Sequence, residues 1–189
     1  MSTVETAAPE RLLTVEEYAQ LPDNGLPTEL VRGRVITLNV PIPWHGFVCG
    51  KVDRIMGGFV EEQDLGYSMI NDAGIITKRD PDTMRGADFA FYSYQRVPKG
   101  TLAKKGYLTV APDLAVEVKS PDDRWKDVLT EVLEYLNAGV SVVCVLDPAR
   151  STVTVYQPDD PERKYEADDT LTLPSVLPGF SVVVRRFFE

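Results

Sequence analysis

Asp88, Glu117 and Lys119 are the residues whose types and spacing point to chemistry. Glu117 and Lys119 stand two apart in the strand pattern Leu114-Ala115-Val116-Glu117-Val118 and its continuation. Strand side chains alternate, so Leu114, Val116 and Val118 face one way, and Asp113, Ala115, Glu117 and Lys119 face the other. Charges on a sheet face must find each other, a metal or water. Asp88 lies on the preceding strand pattern, sharing a face with Ala90 and Tyr92, and approaches Glu117 from the same side if the strands are neighbours. Two carboxylates ~4 Å apart repel by ~4 kcal/mol at an effective dielectric of ~20. A divalent cation removes that cost, and Mg²⁺ takes one or two carboxylates together with water and phosphate oxygens. Such an ion polarises a phosphoryl oxygen and acidifies an attacking water. Lys119 then orients that water or offsets charge growing on the phosphate. The plainer alternative is a solvated strand face carrying an ion pair worth ~0–1 kcal/mol.

These residues need elements to hold them. Thr14 and Glu17 form a capping-box pattern for a short helix that Pro22, Asn24, Gly25 and Pro27 stop. Thr28 to Leu38 reads as a hairpin turning at Arg32-Gly33. Trp44 to Glu62 carries Val48, Val52, Ile55, Met56 and Phe59 at helical spacing, weakened at Gly57-Gly58. Three strands are expected at Tyr67–Ile70, Gly74–Lys78 and Ala87–Tyr92, followed by a lysine-containing loop over 93–109. From Val110 to Val143 the pattern is strand, break at Ser120-Pro121-Asp122-Asp123, amphipathic helix, then a buried strand over Val140–Leu146. That order implies a right-handed crossover between parallel strands. Thr152–Tyr156 and Val182–Arg186 are expected as outer strands.

Composition sets the frame. The 189 residues suit one domain over 13–189 behind a disordered arm at 1–12. No apolar run approaches the ~18 residues of a membrane helix, and the N-terminus lacks a signal-peptide pattern, so a cytoplasmic protein is expected. Cys49 and Cys144 read as buried free thiols, and one histidine without a CxxC pair gives zinc little support. His45 reads as helix-capping or locally bonded, with a role near neutral pH as the alternative. The net charge of −9 argues against a broadly basic nucleic-acid surface, yet acidic residues at a metal site contribute to that total.

The D-x₂₈-E-x-K spacing resembles the core of the PD-(D/E)XK nucleases. The ordered segments LTVEEY (13–18), TELVRGRVI (28–36), P-x-P-x-H (41–45), RGADFAFY (85–92), APDLAVEVKSP (111–121) and EYLNAGVSVVCVLDP (134–148) resemble the Uma family of putative restriction endonucleases. The resemblance implies an α/β restriction-endonuclease-like fold, a central mixed sheet flanked by helices with an N-terminal helix and hairpin. It implies a Mg²⁺-dependent site, with Mn²⁺ as substitute, that cleaves double-stranded DNA through Asp88, Glu117 and Lys119. A helper carboxylate at Glu29 and a metal ligand from the Val118 carbonyl are implied with it. Residue 87 is Ala where the family usually has Pro, and Glu131 stands where many members carry a lysine. Glu29 also reads as a local partner of Arg32 or Arg34. A non-catalytic binding or assembly module, or a nuclease acting on RNA, are the competing functions. A homodimer is one way to cut both strands, and no residue pattern specifies it.

Overall fold

The computed structural model describes residues 11–22 and 25–189. Most of the expected N-terminal arm, and Asn24 in the stop after the first helix, lie outside the described residues. Helix α1 (Val15–Tyr18) starts on the capping box: the Thr14 hydroxyl accepts from the Glu17 amide, and the Glu17 carboxylate accepts from the Thr14 amide. Strands β1 (Thr28–Val31) and β2 (Arg34–Thr37) form the expected hairpin. Gly33 turns it at φ 76°, and a Cβ there would stand 2.6 Å from the Leu12 Cβ, so both backbone and packing require glycine.

The helix expected over Trp44–Glu62 is a continuous rod: α2 (Pro43–Val52), a widened π turn (Asp53–Gly57), then α3 (Gly58–Glu62). Gly57 is helical rather than terminating, because the rod lies tightly on the sheet. A Cβ on Gly57 would meet Asp53 Oδ1 at 2.7 Å and the Phe89 ring at 3.4 Å. The two strands expected at 67–70 and 74–78 are one, β3 (Gly66–Lys78), paired with β4 (Thr83–Ser93). Its interruption is a bulge. Ile70 faces Phe89 and Ala73 faces Ala87, leaving Asn71 and Asp72 together opposite Asp88. Both have positive φ, a region Asn and Asp enter more readily than other residues with side chains.

Strand β5 (Leu114–Val118) runs antiparallel to β4, and helix α4 (Trp125–Asn137) crosses over to β6 (Val142–Asp147), parallel to β5 as expected. Strands β7 (Thr152–Tyr156) and β8 (Arg163–Tyr165) complete the order β2-β1-β4-β5-β6-β7-β8, with β3 also paired to β4. β9 (Thr170–Leu173) and β10 (Leu177–Val183) form a separate hairpin. The strand expected over 182–186 ends at Val183, and Val184–Phe187 is a 3₁₀ turn. Val184, Phe187 and Phe188 are all buried, a spacing that a strand alternating every second residue cannot serve.

Alternation splits the core in two. Phe89, Phe91, Leu114, Val116 and Val118 pack under the α2–α3 rod and the β9–β10 hairpin. Ala90, Tyr92, Ala115, Val143 and Val145 pack under Val128, Val132 and Tyr135 of α4. The fold is a mixed α/β sandwich of helices about one mixed sheet. No helix among the described residues is long and apolar enough to cross a membrane.

The loop over 93–109 is tied down by Arg96. Its guanidinium bonds Asp113 at 2.9 Å, the carbonyls of Ala111 and Gly139 at 2.7 and 3.0 Å, and Ser141 Oγ at 2.7 Å. Asp113 also accepts the Ser93 amide at 2.7 Å, which makes it a loop fastener. Lys99 is paired with Asp64. Removing a charged donor from several bonded, partly buried acceptors costs about 2–3 kcal/mol. Arg96→Ala should therefore lower the urea midpoint by that amount at unchanged slope. A loss below about 0.5 kcal/mol, the size of an ordinary surface substitution, would show that other contacts fasten this loop.

Candidate active site

Carrying the Phe89–Val116 register one step further sets Asp88 across from Glu117. The ladder stops there, and the Asp88 carboxylate takes the place of a backbone acceptor: Oδ2 receives the Val118 amide at 2.7 Å. Oδ1 accepts the Cys49 thiol at 3.3 Å, and His45 Nε2 lies 3.5 Å from Oδ2. Simple alternation puts Asp88 on the α4 side with Ala90 and Tyr92. The carboxylate instead engages α2, at a point where the β3 bulge interrupts one neighbour and the β5 ladder has ended on the other.

Glu117 projects toward α4, and its Oε1 accepts the Tyr135 hydroxyl at 2.7 Å. Burial, then the charges of Asp88 and Glu131, hold the Glu117 carboxyl well above its ordinary value. Glu29 is buried on β1, where Gly86 donates its amide at 2.8 Å and Arg85 an Nη1 at 2.8 Å. The local pairing of Glu29 with Arg32 or Arg34 is thus replaced by a partner on β4, the strand that β1 joins at Leu30–Met84. Arg85 also bonds Glu134 at 2.7 Å and stands 3.6 Å from Glu131. It is a cation held among three carboxylates.

Asp88, Glu117, Val118 and Glu29 line one open cleft of about 700 Å³, along with Asp72 and Glu131. Lys119 is not among its lining residues. Its amide bonds the Leu146 carbonyl at 2.9 Å, while Nζ donates to the Ser120 carbonyl at 2.9 Å and lies 6.0 Å from the Trp125 ring centre. That puts it in an adjoining cleft of about 490 Å³ with Trp44, Arg124 and Arg150. The expected convergence of three groups is therefore a convergence of two carboxylates, with the lysine leaning over the first turn of α4. The clefts meet along His45, Ser120 and Arg124.

His45 is not a cap. Helix α2 has no side-chain cap bond, and the imidazole reaches Asp88, whose hydrogen bond is the largest influence raising its proton affinity, against burial. Both cysteines are free, and Cys144 is buried as expected, whereas Cys49 borders the cleft. Cys49, Arg85 and Tyr135 are the site residues not foreseen. The four-residue spacing of His45 and Cys49 on a helix was the available signal for the first. Nothing local marks the other two.

Glu131 carries a pH dependence. Burial raises its carboxyl from 4.5 to about 7, opposed by Arg85 and reinforced by Glu29, Glu134 and Asp123. An acid raised on folding favours the fold fully below its unfolded value, and that contribution disappears as pH climbs through the folded value. Stability should thus decline between about pH 4.5 and 7. With the side chain 33 % exposed, screening reduces the effect to about 1–2 kcal/mol. Glu131→Gln should be more stable than the parent at pH 8 by that amount and nearly equal at pH 4.5, read from urea midpoints. Parallel pH curves would contradict the assignment.

The comparisons bear on the family and the fold. The Uma2 family model, described as putative restriction endonuclease, matches residues 15–185. The crystal structure of a putative nuclease belonging to DUF820 from Anabaena variabilis is similar, with a TM-score of 0.79 at 22 % identity, covering 93 % of this chain and 97 % of that one. That likeness identifies the fold as restriction-endonuclease-like. No curated protein matches. With the match running from α1 into the closing 3₁₀ turn, the chain belongs to the Uma2 family of putative restriction endonucleases.

Proposed function

We propose that this chain is a Mg²⁺-dependent endonuclease hydrolysing phosphodiester bonds of DNA. The observation that carries the reading is the Asp88–Glu117 pair, two carboxylates lining one open cleft, with Glu117's charged form disfavoured by burial and by Asp88. That donor set fits a hard divalent cation, with Asp88, Glu117 and the Val118 carbonyl as its oxygens and Mn²⁺ as substitute. When bound, the cation supplies Lewis acidity to the phosphate and a more acidic water.

The residues around the pair hold it in place. The Val118 amide and the Cys49 thiol fix the two oxygens of Asp88, and Tyr135 fixes Glu117. Glu29 is the helper carboxylate, locked by the Gly86 amide and holding Arg85 at the cleft wall. Lys119 meets the phosphate after its amine rotates away from the Ser120 carbonyl, and it offsets charge there rather than binding the cation.

A second reading is a binding module without catalysis. Two observations favour it: the lysine amine turned to the adjoining cleft, and Glu131 at the helix position where a family lysine stands. Nicking of supercoiled plasmid separates the two. The parent protein should nick with Mg²⁺ or Mn²⁺ and stop with chelator. Asp88→Asn and Glu117→Gln should each lower the rate about 100-fold or more, and Lys119→Ala at least about 10-fold. Equal rates in the parent and all three variants would remove the proposed site. A parent inactive on DNA and RNA with either ion would leave the binding module.

A further inference from the structure

Cys49 and His45 stand one turn apart on α2 and face the same carboxylate. The thiol sulfur lies 3.4 Å from His45 Nδ1 and 3.3 Å from Asp88 Oδ1, and His45 Nε2 lies 3.5 Å from Asp88 Oδ2. Around a tetrahedral zinc ion with bonds of about 2.0–2.3 Å, ligand atoms stand roughly 3.3–3.6 Å apart. One ligand atom from each residue lies within 4.8 Å of the others, so small side-chain rotations would bring all three onto one ion. All three are partly buried and line the acidic cleft, so a fourth position would open to water.

We propose that His45, Cys49 and Asp88 form a second cation position, selective for zinc or a similar borderline divalent ion. Sulfur and imidazole nitrogen favour such ions, whereas Mg²⁺ prefers oxygen alone. On binding, the sulfur–metal bond forms as the thiol proton, now donated to Asp88, leaves to solvent. Asp88 belongs to both positions, so zinc draws it away from Glu117. In the nuclease reading, zinc is therefore an inhibitor competing with Mg²⁺; that consequence alone rests on the reading.

Titration of the reduced, metal-free full chain with Co²⁺, followed by absorption, tests the site without any measure of activity. A near-ultraviolet thiolate-to-cobalt band should grow to one equivalent and be bleached by Zn²⁺. It should be absent in Cys49→Ser and retained in Cys144→Ala, whose cysteine is wholly buried on β6. His45→Ala should weaken cobalt binding by about 10-fold or more. No band in the parent, or a band that survives Cys49→Ser, overturns the proposal. A band in a protein that fails to cut DNA with Mg²⁺ removes the nuclease reading and leaves the zinc site standing.

Discussion

Negative charge is concentrated where two strands part, and the surroundings of the cleft are arranged to sustain it. The β4–β5 ladder ends at Phe89–Val116, and the next step brings Asp88 opposite Glu117. A side-chain oxygen then satisfies the Val118 amide that another strand residue would otherwise have met. The bulge at Asn71-Asp72 lies opposite the same residue on the other side of β4. Glu29 and Glu131 come close behind, and Arg85 is the cation placed among them. Assembling like charges in a partly buried cleft opposes stability, and such arrangements concentrate at functional sites.

Much of this could be read from the chain because it is local or periodic. The alternation of Leu114 to Val118 correctly divided the two cores, and strand-helix-strand order correctly implied parallel β5 and β6. The Thr14–Glu17 box capped the helix it was expected to cap. The misses occur where period two breaks or a long side chain chooses its direction. Two consecutive residues opposite Asp88 let one strand pass for two. Lys119 shares parity with Glu117, but its four-carbon stem leans over Trp125 instead of the carboxylates. Glu29 finds Arg85, 56 positions away, through a strand pairing that no local pattern encodes. Cys49 looked like core because its neighbours Val48 and Val52 are core.

The charge distribution also bears on how a chain of net charge −9 would meet a polyanion under the proposed function. The acidic cleft adjoins one carrying Lys119, Arg124 and Arg150 beside Trp44 and Trp125. Arg124 pairs there with Asp127 and Arg150 with Asp147, so part of that positive charge is already offset before any phosphate backbone approaches. In the basic stretch over 93–109, Arg96 and Lys99 are engaged with Asp113 and Asp64, and Lys104 and Lys105 are exposed.

The central claim is that Asp88 and Glu117 jointly hold a hard cation. A crystal structure with Mn²⁺, measured with anomalous scattering, addresses it most directly. One anomalous peak should appear, bonded to both carboxylates and the Val118 carbonyl, at about 2.0–2.2 Å for a small hard ion. A peak away from this pair, or no peak with Glu117 still bonded only to Tyr135 at saturating Mn²⁺, would contradict it.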